Sequence, residues 1–139
     1  MPTPTRREIV APAAVVATSQ TLNLGASLAV GDLIVLLHGY DYNAAADMVT
    51  PTGTAVTIWT LRATGDAGTN FMHIKLWTGV VTSGGSGKTV IANASLGTAS
   101  HMAQAVVYST DGVTLSVDGN PIGNQGSTST NHVVGSVTG

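Results

Sequence analysis

Gly87-Lys88-Thr89 is the triplet with the most obvious chemical potential in this chain. A phosphate-binding loop has the form G-x-x-x-x-G-K-[ST], set between a strand and a helix whose N-terminus supplies aligned N–H groups. Here the first glycine of that motif is replaced by Thr82, and the Lys is followed by Thr89-Val90-Ile91-Ala92-Asn93. Residues stiffened at χ1 favour a strand after the lysine. The stretch "VVTSGGSGKTVI" (80–91) therefore reads as a Gly/Ser connection between two strands carrying a solvated lysine.

The other reactive side chains are scattered. His38, His73, His101 and His132 show no metal-ligand spacing and read as structural. Asp41, Asn43 and Asp47 form D-x-N-x-x-x-D, but Ala45 and Ala46 stand where a calcium loop needs a ligand and a glycine, so a polar loop is expected. A nucleophile elbow fails because Lys88 closes the run Gly84-Gly85-Ser86-Gly87. Glu8 is the only glutamate, and no nucleophile–base–orienter set can be assembled. The expectation is a protein that is not an enzyme, with no catalytic, cofactor-binding or metal-binding residues. The best surface candidate is "HGYDYN": His38, Tyr40, Asp41, Tyr42 and Asn43, as a ligand or partner contact. Aromatic plus Asp/Asn chemistry suits a glycan, whereas tyrosines at a sheet edge suit a subunit contact, which is the favoured reading.

Composition narrows the partners. Hydrophobic residues make up 43% and charged residues 9% of the 139 positions, against about 25% charged in an average soluble domain. A surface built from Thr, Ser, Asn, Gly and Ala suits a protein packed among protein partners. A formal charge of −2 with five Lys plus Arg argues against nucleic-acid binding. No apolar run approaches the ~18 residues of a membrane helix. Arg6-Arg7 before "EIVAPAAVVA" imitates a secretory signal, but Glu8 and Pro12 interrupt it, and no signal is expected. With no cysteine, disulfides and thiolate metal sites are excluded.

These residues must be positioned by strands. Runs rich in β-branched residues predict strands at 14–18, 21–24, 33–38, 56–62, 71–81, 89–94, 102–109 and 113–117, with a further one near 132–137. Gly-rich turns separate them, and the only short helix expected is 42–48. The pattern predicts an all-β fold: an antiparallel β-sandwich, jelly-roll or Ig-like, of about eight strands with extended terminal segments. Residues 33–37 are apolar at every position, which predicts a central strand covered on both faces. In 71–77, Met72, Ile74 and Leu76 are expected to face the core, with Phe71, His73, Lys75 and Trp77 opposite. The expected organisation is an N-terminal arm over 1–12, a sandwich domain over 13–118, and a Gly/Ser/Asn-rich segment over 119–139 with a terminal strand. Both terminal segments are expected to become ordered by contact with partners.

Four stretches occur in a recurrent order: "SLAVGDLIVLLHGYD", "VTPTGTAVTIWTLRATGDAG", "FMHIKLWTGVVTSGGSGKTVIANAS" and "MAQAVVYSTDG". Together they resemble a β-sandwich module of virion proteins of tailed bacteriophages, particularly those of actinobacteria. The matching residues are Val30-Gly31-Asp32-Leu33, Pro51-Thr52-Gly53, Trp59, Trp77, Thr89–Asn93 and Val106-Val107-Tyr108, within 28–112. The resemblance implies a virion structural protein, made in the host cytoplasm, that decorates and cements the assembled head. Its partners would be the phage major capsid protein or other virion proteins and copies of itself as a homo-oligomer, with neither nucleic acid nor membrane. The alternative expectation is a minor tail protein, or a carbohydrate- or receptor-binding sandwich acting in host adhesion.

Overall fold

The computed structural model of the chain describes residues 4–41, 48–66, 72–95 and 99–109. Among these, nine strands form: β1 Thr5–Val10, β2 Val15–Ala17, β3 Ser19–Leu24, β4 Leu33–Asp41, β5 Met48–Gly53, β6 Trp59–Asp66, β7 Met72–Val80, β8 Lys88–Ala94 and β9 Ala99–Ser109. The larger sheet has the order β1-β9-β4-β7-β6, and β2 also pairs with β9. The smaller sheet is β3-β8-β5. Every ladder is antiparallel. The two sheets pack face to face, so the chain is the antiparallel β-sandwich that the sequence predicts.

The core follows from period-2 alternation. On β4, Ile34, Leu36, His38 and Tyr40 point inward and are buried. Ala103, Ala105 and Val107 of β9 lie on the same inner face. Leu22 and Leu24 of β3 and Val90 and Ala92 of β8 meet them from the smaller sheet. Full burial of each such aliphatic chain contributes roughly 1.5–3 kcal/mol. Trp59 and Trp77 close one part of this core. Gly79 makes room for Val56 and Trp59, because a Cβ there would stand 2.5 Å from Val56 Cγ1 and 3.0 Å from the Trp59 ring.

The faces of β7 are the reverse of the expectation. Trp77 pairs with Leu36 and is buried in the core, while Ile74 is exposed. Both phases of this strand carry large apolar groups, so alternation alone could not choose between them; register with β4 does. Lys75 then lies on the inner face and snorkels, its ammonium donating to the Met48 carbonyl at 2.8 Å.

Residues 5–10 are not a free arm but the edge strand β1, paired with β9 from Thr5↔Ser109 to Val10↔Ala105. The register shifts at a bulge between Arg6 and Glu8, and the Arg7 and Glu8 side chains reach the 25–32 turn. The Glu8 carboxylate accepts from Gly25 N at 2.8 Å and Ala26 N at 3.1 Å. Arg7 donates to Ser27 O and to Ser109 Oγ, both at 2.8 Å, and lies 3.8 Å from the Asp32 carboxylate. Asp32 itself accepts from Ala29 N at 2.9 Å, which shapes the Val30-Gly31-Asp32 turn into β4. Pro12 falls in the gap between β1 and β2, at the edge of β9, where no ladder donor is needed.

Other differences are local. The strand expected at 56–62 starts at Trp59, with Val56 buried in the preceding turn. Met48 opens β5 instead of ending a helix, and 42–47 lie outside the described residues. The strands expected at 113–117 and 132–137, and the segment 119–139, also lie outside them.

Candidate functional site

Of the five expected contact residues, His38 and Tyr40 are not surface groups. They sit at 0% and 1% exposure on the inner face of β4, in step with Ile34 and Leu36. A nine-residue strand carries its alternation through "HGYD", three residues beyond the strand end expected at His38. Asp41 is exposed at the strand end, whereas Tyr42 and Asn43 fall outside the described residues. The set is therefore split, and its two inward members join a different cluster.

That cluster is a buried histidine pair. Tyr40 pairs with His101 across the β4–β9 ladder, and His38 lies diagonally from it. His38 Nε2 and His101 Nδ1 are 3.0 Å apart, with ring planes 17° from parallel, and the Tyr40 ring meets His101 edge-on at 4.8 Å. An N–H···N bond of this kind needs at least one neutral imidazole. Burial first, then His101 and Lys75, lower the His38 pKa to about 4. Burial also lowers that of His101, against a smaller opposing pull from the Ala17 backbone. One imidazole supplies the N–H and the other the lone pair, the roles being set by the tautomer. His38 Nδ1 and His101 Nε2 are buried with no hydrogen-bond partner, the Ala17 backbone lying outside bonding geometry. Both rings are fully buried, and burial favours their neutral forms. Among the described residues no three His, Cys, Asp or Glu side chains converge to hold a metal ion.

The Gly/Ser segment at 80–91 turns from β7 in one sheet into β8 in the other. Gly85 and Gly87 adopt φ of 108° and 67°, and Lys88 donates to Ser83 Oγ at 2.8 Å on the surface. A strand, not a helix, follows the lysine.

The feature with the reach of a binding surface is the outer face of the larger sheet. Alternation and register place Val35, Leu37 and Gly39 of β4 there, with Gly39 between Ile74 of β7 and Met102 of β9. Leu76, Gln104 and Val106 lie in the neighbouring rows. Leu37 is 43%, Ile74 40% and Met102 52% exposed. Because Gly39 has no side chain, a hollow of about 280 Å³ opens over it, walled by Leu37, Ile74, Met102, Pro12 and Ala11. None of these residues is charged. Among the described residues, the charges flanking this centre are Asp41 at the end of β4, Arg6 opposite Tyr108, and Arg62, whose Nε donates to Thr78 Oγ1 at 2.8 Å. An apolar centre with a polar rim is the anatomy of a protein–protein contact. Sequence reasoning had the signal for this face in 33–37, apolar on both phases, but took it as burial on both sides. The smaller sheet covers only one of them.

Fold and surface together define a β-sandwich module with a partly hollow sheet face whose centre is uncharged among the described residues. No protein-family model, curated protein or solved structure matches the chain.

Proposed function

We propose that the protein is a non-catalytic structural module that attaches to an assembled bacteriophage virion, as a decoration (cementing) protein of the head that contacts the major capsid protein. The observation that carries this reading is the uncharged centre of the larger sheet's outer face, with Leu37, Ile74 and Met102 exposed around the Gly39 hollow. A surface of this kind gains by being packed against protein. The resemblance of its motif order to that of tailed-phage virion proteins is the reason for proposing a particle as the setting. Cementing asks for repeated, moderate contacts, because sites repeated on a symmetric shell add avidity without new chemistry. A low-charge module suits that role, since copies of net charge −2 can crowd on a shell with little long-range repulsion. Adhesion through a glycan at 38–43 is less favoured, because His38 and Tyr40 are buried.

A protein inventory of purified virions, with copy number per particle and heads separated from tails, tests the reading. A head protein in many copies is the expected result; a tail location would replace decoration by a minor tail role. Absence from particles would refute the proposal.

A further inference from the structure

We infer that the outer face of the larger sheet docks a second copy of this chain, face to face about a two-fold axis, with the Gly39 hollow receiving an apolar side chain of the partner. The inference rests on the assembly reading above and names its first partner. Three observations carry it.

The first is coverage. Strand β4 is apolar on both phases, and the described chain buries Ile34, Leu36, His38 and Tyr40 on one of them; on the other, Gly39 is buried at the floor of the hollow but Leu37 stays 43% exposed. A strand that alternates apolar and polar needs one cover, whereas one apolar on both phases needs two. The second observation is charge. A two-fold contact sets a patch against itself, so any charge near its centre meets its own like. The centre of this face carries none, and Gln104, in the row of Leu37, has an amide that is donor and acceptor at once and can pair with its own copy. A partner recognised by charge complementarity would have no counterpart here. The third is area. Five strands about 4.8 Å apart and about nine residues long present about 700 Å², close to the roughly 800 Å² per partner of a standard stable interface. The hollow adds shape to area: its volume of about 280 Å³ accommodates one methionine or isoleucine side chain, and Met102 and Ile74 stand on its own rim. Under two-fold symmetry the rim residue of each copy enters the hollow of the other, and both hollows are filled at once.

The test is sedimentation equilibrium of the full chain, with Met102→Asp and Ile74→Asp as the breaking variants. Both side chains are substantially exposed at 52% and 40%, so their replacement leaves the core intact. Thr21→Asp, at an exposed position of β3 on the smaller sheet, is the control. The wild type and Thr21→Asp are expected to be dimers with a dissociation constant of about micromolar order. Each breaking variant is expected to weaken the dimer by about 100-fold or more, because two carboxylates are forced together in an apolar contact. Circular dichroism and melting of the dissociated variants should remain those of a folded sandwich. A monomeric wild type overturns the inference, and so does a dimer that both variants leave intact. A monomeric wild type that melts lower as Ile74→Asp also overturns it, and makes another segment of the same chain the cover. A chain that is monomeric yet present on purified virions loses only this pairing; a dimer absent from virions loses the assembly reading and keeps the pairing.

Discussion

Acidification should weaken the fold through the buried histidine pair. His38 has an ordinary pKa of 6.5 when unfolded and about 4 when folded, lowered by burial, then by His101 and Lys75. As pH falls below about 6.5 the unfolded chain takes up a proton that the folded chain refuses until about pH 4. Stability is therefore fully present above the unfolded value and is lost as pH falls from 6.5 toward 4. At about 1.4 kcal/mol per pH unit, the loss from His38 between pH 7 and pH 5 integrates to about 2 kcal/mol. His101 is shifted in the same direction and deepens the loss. Protonating both rings would also abolish the 3.0 Å N–H···N bond, which needs one lone pair. Urea unfolding at half-unit steps from pH 7.5 to 5 measures the effect, with His38→Phe as the reference. The wild type should lose stability across this range, and His38→Phe should lose about 2 kcal/mol less. A wild type that is equally stable at pH 7 and pH 5, or a His38→Phe chain with the same pH slope, would refute the enclosed, neutral pair.

Leu36→Ala, at a fully buried position on the central strand, should cost about 2–5 kcal/mol in denaturant unfolding through lost transfer energy and a residual cavity. Glu8→Ala removes the acceptor of two backbone N–H groups and should cost about 1–3 kcal/mol, with faster amide exchange at Gly25 and Ala26 as its signature. Lys88→Ala should change stability by no more than about 0.5 kcal/mol, since its bond to Ser83 is on the surface, and ATP or GTP should not raise the melting temperature.

The sandwich was legible because strand signals are local. β-branched runs between Gly-rich turns located β3, β4, β7, β8 and β9 to within a few residues. Sequence failed where a decision depends on pairing. β1 was hidden because "TRREIV" has little apolar character of its own; it is a strand by virtue of β9 and of the Arg7 and Glu8 clamps on the 25–32 turn. The faces of β7 were inverted because either phase could serve as core until Trp77 was set against Leu36. The histidine pair had no signal in spacing, since 63 residues separate His38 from His101 and only the β4–β9 ladder brings them together. The outer face was half legible: 33–37 announced two apolar phases, but a single chain cannot announce which of its covers comes from outside.

Met102 offers the most direct test that the outer face is an interface. The residue is 52% exposed in the isolated chain, and an exposed methionine is readily converted to the sulfoxide, whereas one packed in a contact is shielded. Mild peroxide treatment followed by mass spectrometry should compare Met102 oxidation in the assembled protein with that in the dissociated Ile74→Asp chain. The account predicts strong protection of Met102 in the assembly and fast oxidation in the dissociated chain. Equal oxidation in both states would contradict it.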